Sequence, residues 1–249
     1  MKKLMEGEHR LSPEEWGAQF NISLLDTVIA ALSKDDFNAQ TQTLLEETQP
    51  GERVLEIGCG SGLTSLALAK HGRISAALDN SHEAIALVAA ASKATGLSCE
   101  TFLADATQTL PFEGDHFDVV FQAGLLEHFT QGEQVELLKI WGKCARRMIS
   151  LVPNASCLAY RVGKALMEQK GTWAYGFEEP AYSLAKQFRS AGFPVIKEYT
   201  VGKLHALEFL PRWHPLRLLL KRIFASGLLK DDAGQGYLLV TIGARDEAC

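Results

Sequence analysis

Between residues 53 and 152, short and almost wholly apolar runs alternate with longer segments whose apolar side chains recur every three or four positions. The apolar runs predict strands at 53–57, 74–79, 98–104, 117–122 and 147–152. Between them the helical period predicts helices at 62–70, 82–95 and 131–145, the last marked by Val135, Leu138, Trp141 and Ala145. Strands that are apolar at nearly every position belong to a parallel sheet covered on both faces, so the chain reads as α/β. After residue 152 the alternation is interrupted twice, at 153–180 and at 203–235. A helix at 180–191, a strand at 195–201 and a closing strand from Tyr237 to Ala244 complete the pattern. Residues 1–50 are more polar and read as a helical segment ahead of a domain at 51–249. Ser12-Pro13-Glu14-Glu15 supplies an N-cap, a proline at the first helical position and a capping-box carboxylate. A second amphipathic stretch runs from Leu24 to Leu32, and Pro50-Gly51 turns the chain into the first strand.

Composition changes this picture little. Of 249 residues, 47% are hydrophobic and 22% charged, as in an ordinary water-soluble globular protein. A net charge of −5 argues against a protein built to coat nucleic acid. The charge is uneven, however: residues 203–230 carry +5, which leaves −10 on the rest. Five scattered cysteines, odd in number and never spaced C-x-x-C, point to neither a disulfide framework nor a thiolate zinc site. They fit a reducing cytoplasm. Met1-Lys2-Lys3 is followed by polar residues, so no secretory signal is expected, and no uncharged run approaches the ~18 residues of a spanning helix.

The candidate chemistry begins where the first strand ends, in Glu56-Ile57-Gly58-Cys59-Gly60-Ser61-Gly62. Glycines at such a turn let a ligand approach backbone N–H groups at a helix N-terminus. Leu63 breaks the dinucleotide fingerprint, which counts against a nicotinamide oxidoreductase. Asp79, followed by Asn80, ends the second strand, where a carboxylate can accept both hydroxyls of a ribose or can cap the next helix, a role for which Ser81 competes. Asp105-Ala106 follows the third strand, either facing an adenine amine or forming a solvated turn. The fourth strand, Phe117-Asp118-Val119-Val120-Phe121-Gln122, runs on into Leu125-Leu126-Glu127-His128-Phe129.

This ordered set, E-x-G-x-G-x-G, an acid after the second strand, D-A after the third and L-L-E-H-F after the fourth, resembles the class I S-adenosylmethionine-dependent methyltransferases. It is most similar to the branch acting on small molecules, known as methyltransferase type 11. The resemblance implies a doubly wound, Rossmann-like, mostly parallel seven-stranded sheet whose last strand is antiparallel. It implies S-adenosylmethionine as cofactor. Gly58, Cys59, Gly60 and Gly62 would then shape the loop under the methionine portion, with Glu56 holding it. Asp79 and Asn80 would take the ribose, Asp105 and Ala106 the adenine, and Gln122 the amino group through its main-chain carbonyl.

A methyl group on a sulfonium is already activated, so the chain must chiefly align a nucleophile and exclude water. A general base is needed only for an acceptor that arrives protonated, and His128 is the residue placed to be one; packing is its alternative role. Cys59 stands beside a helix N-terminus, where a thiol pKa falls, but at a variable position of the loop, and is expected to be inert. Gln122-Ala123-Gly124-Leu125 is not the N/D-P-P-Y/F of adenine and glutamine methylation. Neither a Pro-Cys nucleophile, a paired-glutamate loop nor an acidic magnesium set is present, so no metal is expected. An oxygen of a small organic acceptor is the expected target, ahead of nitrogen or carbon, with no nucleic-acid partner. A cofactor-binding regulatory subunit without turnover is the alternative.

Loops at the C-terminal edge of such a sheet line its crevice. Glu127, Asn154, Tyr160, Tyr175 and Glu178 are therefore the candidate acceptor contacts, and His205 and His214 lie in the second interruption. In that interruption Leu216, Leu219, Leu220, Ile223 and Phe224 share one helical face opposite Arg217 and Lys221. A lid, a transient membrane-surface contact and a dimer or core helix remain open for it.

Overall fold

A computed structural model describes residues 10–112, 114–226 and 234–245. Its centre is one seven-stranded sheet in the order β3-β2-β1-β4-β5-β7-β6. The strands are β1 (Arg53–Ile57), β2 (Ile74–Asp79), β3 (Cys99–Leu103), β4 (Phe117–Ala123), β5 (Ala145–Pro153), β6 (Val195–Val201) and β7 (Leu238–Ala244). The first five pair in parallel, whereas β7 lies antiparallel between β5 and β6. The antiparallel last strand anticipated from the sequence is thus present. Both faces of the sheet are covered, as apolar strands require. Leu55, Ile57, Val120 and Met148 pack into one cluster with Trp141 and Phe188, and Val54, Val119, Phe121 and Ile149 into another with Leu44 and Leu68.

The helices ahead of and within this frame are α1 (Pro13–Gln19), α2 (Leu25–Lys34), α3 (Ala39–Glu47), α4 (Leu63–Lys70), α5 (His82–Thr95) and α6 (Gln131–Gly142). Local sequence fixes their ends. Ser12 closes the expected capping box with Glu15 on α1, and Thr130 closes a second one with Glu133 on α6. Ser81 caps α5, and Gly96 ends it in the left-handed region. Residue 142 ends α6 three positions earlier than the helical period suggested, because Ala145 already belongs to β5.

The two interruptions differ from their sequence reading. Residues 153–180 are not mainly loop: α7 (Leu158–Gln169) occupies twelve of them. It is followed by α8 (Ala185–Ser190), α9 (Lys203–Ala206) and α10 (Pro215–Ala225). The interruptions pack on each other, Tyr160 of α7 meeting Leu207, Leu210, Leu220 and Phe224. Gly163 permits that approach, since a Cβ there would lie 2.5 Å from Phe209 Cβ and carbonyl oxygen. Leu220 and Phe224 of α10 are buried in this cluster, but Leu219, expected on the same face, is 56% exposed. Residues 227–233, including Lys230 of the basic stretch, lie outside the described residues. Among the described residues no helix is long and apolar enough to cross a membrane.

The chain leaves β1 toward β2 on one side and reaches β4 on the other. At such a switch point the loops after the two strands part and open a crevice at the C-terminal edge. The glycine loop follows β1 and the Leu125–Phe129 turn follows β4, so both face that crevice.

Candidate functional site

The crevice is a cleft of about 500 Å³. That lies within the ~300–1,000 Å³ usual for small-molecule sites. One wall is the loop after β1. Gly58, Gly60 and Gly62 have φ of 69°, 50° and 65°, a region that other residues enter only at a cost. Space is short as well: a Cβ on Gly60 would stand 3.3 Å from the Phe20 ring, and one on Gly62 2.3 Å from Val88 Cγ2. The Gly60 N–H donates to Asp79 Oδ2 at 3.0 Å, and the Ser81 N–H to Asp79 Oδ1 at 2.9 Å. Asp79 thereby ties the loop to the end of β2. Its pKa is raised, because burial outweighs these backbone bonds.

Behind the loop, Glu56 is buried, and its Oε2 accepts from the Ser65 N–H at 3.0 Å and hydroxyl at 2.5 Å. Burial pushes its pKa up to about 8, and the charge of Asp79 adds to the rise. Cys59 is buried too, and its thiol is pushed up, not down, by burial and by the Asp79 and Glu56 carboxylates. The lowering expected beside a helix N-terminus is therefore overturned by desolvation. On the next wall Asp105 Oδ1 accepts from the Thr107 N–H and hydroxyl at 2.8 and 2.7 Å, and the Ala106 carbonyl accepts from Trp141 Nε1 at 2.8 Å. Both residues face the cleft, as does Asn80.

The turn after β4 forms the far wall. Gln122 does not line the cleft among the described residues. Its side chain is buried: Nε2 donates to Ser150 Oγ at 2.5 Å, and Oε1 accepts from the N–H groups of Leu125 and Leu126 at 2.9 and 3.1 Å. It shapes the turn that carries Glu127 and His128. His128 Nδ1 lies 2.5 Å from the Phe177 carbonyl oxygen. A carbonyl only accepts, so the ring proton sits on Nδ1 and leaves Nε2 as an acceptor. Burial lowers the His128 pKa, which keeps the ring neutral near pH ~7.

Residues 177–179 are stitched to this turn by that bond and by the Glu179 N–H, which donates to the Glu127 carbonyl at 2.8 Å. Tyr175 and Glu178 thereby reach the cleft, joined by Tyr237 and His205. Asn154 and Tyr160 do not line it. Asn154 spends both amide hydrogens on the carbonyls of Gly234 and Gly236, at 2.9 and 2.8 Å, fastening the approach to β7. Tyr160 packs edge-on to Phe209 and tilted on Tyr237, behind the wall. His214 is a helix cap, its Nδ1 accepting from the Leu216 N–H at 3.3 Å.

The N-terminal segment forms a roof, an arrangement that the family resemblance allowed for residues 1–50 without naming any residue of it. Arg10, Leu11, Trp16 and Phe20 all face the cleft. The Arg10 guanidinium lies 5.0 Å over the Phe129 ring and forks onto Glu133, whose pKa it lowers to about 2. Trp16 meets His128 edge-on at 5.3 Å and stacks toward Phe20 at 6.2 Å. The four-residue spacing of Trp16 and Phe20 behind a capped helix start was the available signal. Among the described residues no three His, Cys, Asp or Glu side chains converge as a metal site requires.

Residues 54–147 match the family described as "Methyltransferase domain". A ubiquinone biosynthesis O-methyltransferase of Rhizobium leguminosarum bv. trifolii is 35% identical over 83 residues, covering 33% of this chain and 32% of that protein. A ribosomal RNA small subunit methyltransferase C of Salmonella newport is 34% identical over 104 residues, covering 39% and 30%. The chain thus spans about a third of the length of these curated relatives. Among solved structures, a SAM-dependent methyltransferase of Thermotoga maritima, described as a possible histamine N-methyltransferase, superposes with a TM-score of 0.63 at 16% identity. The superposition covers 94% of this chain and all of that one.

Proposed function

We propose, from the premise that residues 54–147 are a methyltransferase domain on the class I S-adenosylmethionine-dependent fold, that this chain methylates an oxygen of a small organic acceptor. The observation that carries the reading is the joint facing of the glycine loop, Asp79, Asp105 and His128 into one cleft. The cleft fits the cofactor in kind. Three glycines bring backbone without side chains to one wall, and a buried carboxylate stands at the end of β2, held by the Gly60 and Ser81 N–H groups and the Cys59 thiol. Asp79 and Asn80 would hold the ribose, Asp105 and Ala106 the adenine, and Gly58 to Gly62 the methionine portion. When bound, S-adenosylmethionine would supply a methyl group activated by its sulfonium for transfer to the acceptor oxygen, with S-adenosylhomocysteine as the leaving group.

The remaining work falls to the chain. His128 Nε2 takes the proton of the acceptor hydroxyl, a role for which its neutral, Nδ1-protonated form is suited. Gln122 positions it through the turn. Trp16, Phe20 and Arg10 close the roof and exclude water. A roofed cleft in a body of net negative charge favours a small acceptor over a polynucleotide. Four free thiols among the described residues support a reducing, cytoplasmic setting.

The test is calorimetric titration with S-adenosylmethionine and S-adenosylhomocysteine, followed by mass spectrometry of a panel of phenols and hydroxy acids incubated with enzyme and cofactor. Binding with a mass gain of one methyl on oxygen is expected. Absence of binding at millimolar ligand refutes the reading, and binding without turnover on any acceptor turns it into that of a regulatory subunit.

A further inference from the structure

Resting on that reading of the cleft, we propose that the methyl acceptor carries a protonated amine or amidine, and that Glu127 and Glu178 together seat this cation. Both residues face the cleft. Glu127 is 3% exposed, and the side chain of Glu178 is 5% exposed. On each of them Oε2 is buried without a hydrogen bond of good geometry among the described residues, although the Tyr160 hydroxyl, equally buried, stands close enough to Glu178 to lower its pKa. A buried carboxylate oxygen left in this way is costly, and native structures rarely carry two together without a function.

Cations belonging to the chain do not settle the account. Lys164 Nζ comes to 4.0 Å from Glu178 Oε2, but it is bonded to Glu168 and lies 4.3 Å over the Trp173 ring. One ammonium thus serves Glu178 and Glu168, and none is paired with Glu127 among the described residues. The other basic groups at the cleft are committed elsewhere: Arg10 to Glu133, His205 to Glu208 at 3.2 Å, and His128 Nδ1 to the Phe177 carbonyl. Burial, together with the charge of Glu178, raises the pKa of Glu127 well above the usual range, and burial pushes Glu178 up to about 7. Without a cation the pair therefore holds protons near neutrality, and a ligand ammonium would displace them. Tyr175 and Tyr237 complete the wall with aromatic rings, which favour a cation over an anion. This feature separates the site from one built for a neutral quinol or a carboxylic acid.

The experiment compares isosteric probes on the full chain by calorimetry, with and without saturating S-adenosylhomocysteine. Tyramine is set against para-propylphenol, para-hydroxybenzamidine against para-hydroxybenzamide, and para-hydroxyphenylpropionate serves as the anionic control. The cationic member of each pair is expected to bind at least ~10-fold more tightly, as desolvated charge pairs do elsewhere. Glu127→Gln and Glu178→Gln should each reduce that preference below ~3-fold while leaving S-adenosylhomocysteine affinity unchanged. The proposal is overturned if no cationic probe outbinds its neutral partner, or if both variants keep the preference. The wild-type comparison stands even if a variant fails to fold. Loss of S-adenosylhomocysteine binding would instead remove the methyl-transfer reading, while the probe series without it still reports on the cation seat.

Discussion

Replacing Glu56 by Gln isolates the energetic effect of one buried carboxyl at the base of the site. In the folded chain its pKa is about 8, raised by burial and opposed by two bonds from Ser65. In the unfolded chain a glutamate titrates near ~4.3. Between those values the folded protein keeps a proton that the unfolded chain has released, so stability falls as pH rises through the window. Each unit of pH inside it costs ~1.4 kcal/mol, and from pH ~5.5 to ~8 the loss from this one group is ~3 kcal/mol. Glutamine keeps a carbonyl oxygen that can accept both Ser65 hydrogens and has no proton to lose. Urea unfolding of the ligand-free protein at pH ~5.5, ~7 and ~8 provides the assay, with unchanged m-values as the control. The stability of Glu56→Gln relative to wild type should increase by ~3 kcal/mol across the window, leaving the variant the more stable protein at pH ~8. Contributions from Glu127 and Glu178 cancel in this difference. A relative stability that moves by less than ~1 kcal/mol would refute the placement of the raised pKa on Glu56.

Three further outcomes are expected. Gly62→Ala forces a Cβ into a backbone with φ of 65° and to within 2.3 Å of Val88 Cγ2. It should therefore destabilise by ~2–5 kcal/mol in urea titrations, and a loss below ~1 kcal/mol would contradict the close approach of loop and α5. Asp79→Asn should weaken S-adenosylhomocysteine by ~10-fold to over ~100-fold in calorimetry, since charge-assisted hydrogen bonds are worth ~1.5–3 kcal/mol; unchanged affinity would remove the ribose role. His128→Gln should lower kcat by ~10²–10⁴ with S-adenosylhomocysteine affinity preserved. Because burial lowers the His128 pKa, kcat at saturating acceptor should be flat above pH ~6.5 and fall only below it, and a kcat still climbing at pH ~7–8 would exclude this histidine as the base.

Much of the frame was readable along the chain, for a local reason. An apolar run of five to seven residues flanked by turns specifies a strand, and a helical period with Ser81 or Ser12 at its head specifies a helix wherever it sits. The same holds for the glycine loop, whose three left-handed residues depend on their own backbone. Other features were not readable. The Gln122 side chain holds the β4 turn, a role set by Ser150 lying opposite it on the neighbouring strand. Asn154 and Tyr160 have the chemistry of pocket residues but are consumed by the β7 approach and by the packing of α7 on residues 207–224. The Trp16 and Phe20 roof gave only a faint helical signal, since nothing within residues 10–20 says what they cover.

The sequence by itself determined the strands, the helix caps, the glycine turn and the order of charged residues at the strand ends, because each depends on neighbours within a few positions. Only the tertiary structure decided which of those residues meet. Glu127 and Glu178 are fifty-one positions apart in the chain, yet the bond from Glu179 to the Glu127 carbonyl and that of His128 with the Phe177 carbonyl bring their segments together. Burial then does to both carboxyls what no pattern of residues can specify, raising their pKa values and leaving an oxygen on each without a partner. Desolvation belongs to the folded volume, so the charge a site prefers is set by what surrounds it in space.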